Sequence, residues 1–142
     1  MKLVLNIEPK PQSRPRFARR GNFTTTYEDK AMKAWRNQCK LLIATKYMSQ
    51  PILEGALRAK VRFYIKPPQY ISKPKKNQQA LIDEIIPVGK KPDVDNYEKA
   101  LYDSMSGLVF QDDGQIALHD VGKFYSLNPR IEVEIEVMEW NR

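Results

Sequence analysis

The amino-acid sequence predicts an α+β fold in a single domain over residues 1–142, in the order β-α-β, long basic loop, α-β-β, with a mixed sheet packed by two helices. Three observations support this prediction. A chain of 142 residues is long enough for one hydrophobic core and short for two. Residues 57–66 alternate apolar and polar side chains without error, as in a half-buried strand. Two segments, 31–43 and 97–108, repeat apolar residues at spacings of three and four, which is typical of amphipathic helices.

The N-terminal part of the chain is predicted to form a strand, a basic loop and a long helix. Residues 2–8 alternate, and the inward-facing positions are Leu3, Leu5 and Ile7. Prolines end this strand and open a basic loop over 9–23. Within 25–29 a threonine is followed by an acid three residues on, which predicts a helix cap. The apolar face predicted for this helix consists of Ala31, Ala34, Trp35, Cys39, Leu42 and Ile43.

The middle of the chain contains the clearest strand, at 57–66, and then a segment rich in proline and lysine at 67–92. We interpret 67–92 as a long, mobile, basic loop, because prolines break regular structure and long loops in small domains are usually functional or disordered. A second helix is predicted from about 96 to 107, with an apolar face of Tyr97, Leu101, Met105 and Leu108.

The C-terminal part of the chain is predicted to be a hairpin, with strands at 116–125 and 130–140 and a turn at Asn128 and Pro129. In the last strand, four aliphatic side chains alternate with glutamates. We expect the aliphatic side chains to face the core and the glutamates to form a solvated strand face.

Positive charge is concentrated in part of the chain. The formal net charge is +7, and residues 9–23 contain five basic side chains and no acid, whereas 131–142 contain four glutamates. A segregated basic surface favours polyanionic partners, because each neutralised phosphate releases condensed counterions. Taken alone, this charge pattern fits an ordinary solvated loop equally well.

Several classes of protein are disfavoured by the composition. No apolar run approaches the roughly 18 residues of a membrane span, and the apolar stretch at the N-terminus is too short for a signal peptide. We therefore expect a cytoplasmic protein with no membrane partner. The single cysteine, Cys39, cannot form an internal disulfide and is expected to be a buried, unreactive thiol.

Two aspartates, Asp93 and Asp95, stand where the basic segment enters the second helix. In extended geometry, positions i and i+2 point the same way, and two adjacent carboxylates are commonly relieved by a hard divalent cation such as Mg²⁺. The alternative is that Asp95 caps the helix in a capping box with Glu98, which leaves Asp93 as a loop acid.

Further candidates for chemistry follow along the chain. Lys99 lies four residues after Asp95 and could stabilise a phosphate or a leaving oxyanion, although a surface ion pair with Asp95 or Asp103 would also explain it. Asp112 and Asp113 precede a strand and could supply a third carboxylate, whereas an Asp-Gly turn is the simpler reading. His119 is expected to be structural.

The sequence resembles the RusA-type Holliday-junction resolvases (crossover junction endodeoxyribonucleases). The resemblance is most specific in residues 93–96 (DVDN), 99–103 (KALYD) and 107–116 (GLVFQDDGQI). It extends to 9–17 (PKPQSRPRF), which is similar to the proline-rich, basic segment that follows the first strand in that family. The segment 67–92 is longer than in the shortest family members.

The resemblance implies a structure-specific endonuclease that resolves four-way DNA junctions in recombination and repair. It implies a homodimer that hydrolyses two strands symmetrically with Mg²⁺, for which Mn²⁺ would substitute. Matched position by position, Asp93, Asp95 and Asp113 correspond to the metal-binding carboxylates and Lys99 to the catalytic lysine, while Asp112 is a further metal-ligand candidate.

DNA is expected to contact the two basic segments, 9–23 and 66–91, mainly through its phosphates. The side chains predicted to make these contacts are Arg14, Arg16, Arg19, Arg20, Lys73, Lys75, Lys76, Lys90 and Lys91.

Two rival interpretations are kept. The first is a non-catalytic nucleic-acid-binding module in which exposed Tyr64, Tyr70 and Tyr125 stack on single strands. It explains the charge but not the three aspartates, because acids on a DNA-binding surface repel phosphates unless a cation intervenes. The second is a metal-dependent nuclease of another fold, without junction specificity.

Overall fold

A four-stranded mixed sheet forms the centre of the computed structural model, which describes residues 1–13 and 29–140 together with the backbone of strands at 16–20 and 23–27. The strands are β1 (Lys2–Leu5), β2 (Arg16–Arg20), β3 (Phe23–Tyr27), β4 (Leu57–Ile65), β5 (Ile116–Tyr125) and β6 (Arg130–Val137). The helices are α1 (Lys30–Lys46), α2 (Gln69–Ser72), α3 (Gln78–Ile82) and α4 (Val94–Met105). This architecture confirms the predicted α+β fold, with the two long helices α1 and α4 packed on the sheet.

The strand order in the main sheet is β1-β6-β4-β5. The β4 strand, predicted from its unbroken alternation, is central: it pairs parallel to β5 and antiparallel to β6. The prediction of a C-terminal hairpin is therefore wrong, because β4 lies between β5 and β6. Their short connection passes the end of β4, where the Ser126 amide donates to the Ile65 carbonyl (2.9 Å). A short connection with turn residues looks the same in sequence whether it joins neighbouring strands or crosses over a third.

The helix α1 begins later than predicted. Its N-cap is Asp29, whose carboxylate accepts a hydrogen bond from the Ala31 amide (2.9 Å), and the threonines at 24–26 belong to β3. Asp is a strong cap and threonine is favoured in strands, so both residue types have a local preference that explains the difference. The buried face of α1 consists of Met32, Trp35, Cys39 and Ile43, whereas Ala31 and Ala34 are exposed and Leu42 is partly buried.

The core lies between the sheet and the pair of helices α1 and α4. Alternate side chains of β1, β4 and β6 face the helices and are almost fully buried. On this side, the rings of Phe63 and Tyr97 pack with their centroids 5.5 Å apart. The opposite face of the sheet is charged, with ion pairs Arg58–Glu136 and Arg62–Asp120. The glutamates of β6 are on this charged face, as predicted.

The segment 67–92 is not an irregular loop. It contains the short helices α2 and α3 and a 3₁₀ turn at Lys75–Asn77. A small second core of Leu81, Val88 and Tyr125 anchors it to the end of β5. Its prolines stand at helix starts and between the helices, where they are tolerated, so proline content alone was a poor guide here.

The predicted loop at 9–23 also contains regular structure, because β2 pairs antiparallel with β3 in a separate two-stranded sheet. None of the helices in the described residues combines the length and the apolar character needed to cross a lipid bilayer.

Candidate active site

The start of α4 carries the two aspartates predicted to bind metal. Asp93 is the N-cap residue and has extended backbone angles, but its side chain makes no capping hydrogen bond with the described backbone. Asp95 lies in the first turn of the helix. The alternative that Asp95 is the cap is therefore wrong, and so is the assumption that both residues are extended. Asp93 and Asp95 therefore differ in backbone conformation, since Asp93 is extended and Asp95 is helical.

A cleft of about 360 Å³ borders these aspartates and is lined on its other side by Pro11, Gln12 and Ser13. The Gln12 amide donates to the Asn96 carbonyl (3.0 Å), which ties the segment after β1 to the first turn of α4. The Gln12 side-chain oxygen is buried and has no hydrogen-bond partner among the described residues. A buried acceptor without a donor is costly, so this cleft wall is suited to a cation or a donor group from a ligand.

The turn before β5 holds the second pair of acids. The Asp112 carboxylate accepts from the Gln115 backbone, and the Gln115 side-chain oxygen accepts from the Asp112 amide (3.1 Å). The Gln115 side-chain nitrogen also donates to the carbonyls of Leu53 and Gly55 (both 3.1 Å), which fixes the turn to the loop before β4. A Cβ atom at Gly114 would lie 2.8 Å from an Asp112 carboxylate oxygen, so only glycine fits there without a shift. Asp112 is thus engaged in shaping the turn.

Neighbouring charges act on the pKa of the Asp113 carboxyl in opposite directions. Burial raises the pKa of the Asp113 carboxyl, and its hydrogen bond with Asp112 and the charges of Asp112 and Asp103 raise it further, while Lys99 lowers it. No ion pair formed by the described side chains includes Lys99, so the alternative of a surface pair with Asp95 or Asp103 is not observed. Lys99 is therefore an exposed residue of α4 whose amine is uncommitted to a carboxylate in the described part of the chain.

A pair that the sequence did not reveal lies between α4 and β5. The His119 Nδ1 atom is 2.7 Å from a Glu98 carboxylate oxygen, and the Tyr102 hydroxyl donates to the same oxygen (3.1 Å). Burial, together with the nearby Glu98 and Asp113 charges, raises the pKa of the Tyr102 hydroxyl. This contact joins α4 to β5 and agrees with a structural role for His119. The only hint in the sequence was that Glu98 stands one residue before Lys99.

Lys123 is a second residue whose position the sequence did not reveal. Its Nζ atom donates to the carbonyls of Lys90 and Pro92, both at 2.5 Å. These carbonyls belong to the turn that leads directly into Asp93. The strand β5 therefore begins at the Asp113 turn and, seven residues further on, holds the segment before Asp93. One strand thus supports both halves of the candidate site.

The predicted DNA-binding side chains fall into two groups. Arg14 lies outside the described residues, and so do the side chains of Arg16, Arg19 and Arg20, whose backbone forms β2. The second group is exposed in the segment 67–92 or at its end and consists of Lys73, Lys75, Lys76, Lys90 and Lys91.

The three tyrosines of the rival binding-module interpretation differ in exposure. Tyr125 is buried, and the Arg130 guanidinium lies 4.1 Å from the ring centre of Tyr64. Only Tyr70, of these three, keeps a largely exposed ring.

Whether these residues could hold a metal ion depends first on the type of atom that they offer as ligands. Carboxylates and an amide oxygen are the hard ligands that Mg²⁺ prefers. Within residues 1–13 and 29–140, however, no three Asp, Glu, His or Cys side chains are close enough together to hold an ion. The oxygen donors thus fit Mg²⁺ in kind, and they are divided between the start of α4 and the turn before β5.

Comparison with known proteins identifies the family. Residues 6–136 match the family model described as endodeoxyribonuclease RusA. The chain is also 33% identical, over 135 residues, to a protein of Bacillus subtilis (strain 168) that is described as uncharacterized protein YqaN. That alignment covers 95% of this chain and 94% of the relative. The match to the family model extends through the start of α4, the turn before β5 and the central strand β4. The chain therefore belongs to the RusA family of endodeoxyribonucleases.

Proposed function

We propose that this chain is a Mg²⁺-dependent, homodimeric endonuclease that resolves four-way DNA junctions by symmetric phosphodiester hydrolysis, and that it acts in the cytoplasm in recombination and repair. The observation that carries the proposal is that Lys99 lies on α4, the helix whose first turn holds Asp95, and that its charge lowers the pKa of the Asp113 carboxyl. Phosphoryl transfer needs fixed positive charge close to metal-binding carboxylates, because the transition state at the DNA phosphate carries extra negative charge.

The roles that we propose for the site residues follow from their positions in the chain. Asp93, Asp95 and Asp113 would hold the ion, with Asp112 as a further candidate. When bound, Mg²⁺ supplies positive charge to a phosphate oxygen and favours ionisation of a coordinated water. The raised pKa of Asp113 agrees with such a role, because a carboxylate destabilised by burial and by Asp112 is stabilised by a nearby cation. Lys99 adds a fixed positive charge that stabilises the extra negative charge of the transition state.

The junction preference and the homodimer are linked. Each chain contributes one candidate site, and two symmetric cuts need two sites related by a two-fold axis. The lysines of the segment 67–92 and the basic residues of 9–23 would contact the crossing strands through their phosphates.

The test is cleavage of a labelled four-way junction and of a duplex with the same sequence, with Mg²⁺, with Mn²⁺ and with a chelator. Cleavage is expected only with a divalent ion, and faster for the junction. Asp95→Asn and Asp113→Asn should each lower the rate by about 10²-fold or more, since each removes a predicted ligand, while junction binding is kept.

Asp83→Asn is the matched control, because Asp83 lies on the protein surface, where its carboxylate accepts a hydrogen bond from Gln79 (3.1 Å). Wild-type protein that binds junctions tightly but cuts none with any divalent ion would support the non-catalytic binding module instead. Cleavage of both DNAs at equal rates would support a nuclease without junction specificity.

A further inference from the structure

The ring of Tyr70 is exposed and at the same time fixed in orientation. Tyr70 as a whole residue is 61% exposed. The Lys90 amine donates to the Tyr70 hydroxyl (2.5 Å) and is 4.8 Å from the ring centre, so the amine lies at the hydroxyl end of the ring. An aromatic ring held in place by its hydroxyl loses little conformational freedom when a partner binds to its face.

The surroundings of Tyr70 are suited to a polyanion. Five exposed lysines follow Tyr70 along the same segment, from Lys73 to Lys91, and none of them is part of an ion pair within the described residues. The two acids of the same segment are engaged elsewhere, since Glu84 binds Arg130 and Asp83 accepts from Gln79. The segment therefore presents an aromatic ring among uncompensated cations.

Tyr70 is also connected to the candidate active site. The lysine that donates to its hydroxyl, Lys90, is three residues before Asp93. The Lys90 carbonyl is in turn held by Lys123. A strand whose phosphate is near Asp93 would thus pass within reach of the Tyr70 ring.

We infer that Tyr70 is a stacking site for an unpaired nucleobase of the DNA strand bound next to Asp93. Every base has an aromatic face, and exposed tyrosines in basic grooves bind such faces with little regard to sequence. Bases inside a duplex are already stacked on both sides, so the site selects bases that a branch point has released. This inference rests on the proposed action on DNA junctions and names the contact that would recognise their open centre.

The test compares Tyr70→Leu with Trp140→Leu. Trp140 is 78% exposed and follows β6 past Val137, which pairs with Leu57 at the end of β4 remote from the segment 67–92. Affinities for an oligothymidylate and for a four-way junction are measured in a chelator at several salt concentrations. Tyr70→Leu is expected to bind both DNAs about 5-fold or more weakly, with an unchanged dependence of affinity on salt concentration, because stacking releases no counterions.

Two further variants separate stacking from charge. Lys90→Met should reduce the dependence of affinity on salt concentration, and Tyr70→Phe, which keeps the ring, should bind more tightly than Tyr70→Leu.

A second measurement locates the contact directly. A junction with 5-iodouracil at the branch point is irradiated, and the cross-linked peptide is expected to contain Tyr70. Tyr70→Leu affinities equal to those of Trp140→Leu, or cross-links confined to other residues, would overturn the inference. Protection of Tyr70 from tetranitromethane in the DNA-free protein would do the same, since a second chain would then cover the ring. These assays measure binding and need no cleavage. A negative result in them therefore does not count against the proposed nuclease activity, and a protein that fails to cut DNA can still be tested in them.

Discussion

Replacement of Lys123 by methionine tests whether the segment before Asp93 must be held in place. Methionine keeps much of the length and the apolar stem but removes both hydrogen bonds to the Lys90 and Pro92 carbonyls. Hydrogen bonds from charged donors contribute about 1.5–3 kcal/mol each when water cannot replace them. These carbonyls are near the surface, so we expect the free energy of unfolding to fall by only about 1–2 kcal/mol in total. A domain with a stability of about 5 kcal/mol or more stays folded after such a loss.

The effect on cleavage should be larger than the effect on stability. Without Lys123 the turn before Asp93 is free to shift, and a displacement of about 1 Å at a reacting group costs on the order of 10²-fold in rate. Junction cleavage at saturating Mg²⁺ should therefore fall by about 10²-fold, while the far-ultraviolet circular dichroism and the junction affinity change little.

Lys60→Met is the matched control for this prediction. Lys60 is exposed on β4 and faces the charged side of the sheet, in register with Glu134 of β6. The control removes the same charge and leaves the turn before Asp93 intact. If Lys123→Met cut junctions as fast as Lys60→Met, the turn would be held by other contacts and the reasoning would be refuted.

Three further predictions concern stability and the thiol. Glu84→Gln should lower the free energy of unfolding by about 1–2 kcal/mol at neutral pH, because Arg130 holds the pKa of Glu84 below its usual value. This contribution is present above the unfolded pKa of about 4.3 and is lost as the pH falls through the lower folded pKa, so denaturant titrations of the two proteins should converge there. Leu101→Ala should cost about 2–5 kcal/mol because Leu101 is fully buried, whereas Leu41→Ala at an exposed position should be nearly neutral in the same titration. The Cys39 thiol, whose pKa burial raises to about 11, should react with a disulfide reagent only after unfolding, and rapid labelling of the native protein would contradict its burial.

The parts of the fold that the sequence predicted are those set by local periodicity. The strand at 57–65 was predicted within one residue because each apolar side chain in it faces the same buried surface. Helix starts were harder, since Thr25 and Asp29 both have capping chemistry and only the pairing of β3 selects Asp29. The placement of β4 between β5 and β6 could not be predicted, because strand alternation marks a buried face and carries no information about which strand is the neighbour.

In the candidate site, too, the sequence predicted some features and missed others. The motif around Lys99 and Asp113 predicted that two distant segments would meet, and Lys99 lowers the pKa of the Asp113 carboxyl, which is the effect of a cation on a carboxylate. The metal-ligand roles stay predictions. The contact of Glu98 with His119 was missed because it joins a helix to a strand, and no local pattern links positions on different elements. Lys123 was missed for the same reason, since its partners are backbone carbonyls, which any sequence provides.

The parallel pairing of β4 with β5 also bears on when the candidate site is assembled during folding. The two strands are parallel, so the whole segment from Lys66 to Gln115 forms their connection, and that connection contains α4 and both pairs of aspartates. Contacts between residues so far apart along the chain close slowly, because the entropy of a long loop must be overcome before any pairing is gained. A nascent or partly unfolded chain can form α4 locally, yet Asp113 and Lys123 reach it only once β5 has joined the sheet. Dependence on this late step would keep an incompletely folded chain from cutting the DNA around it.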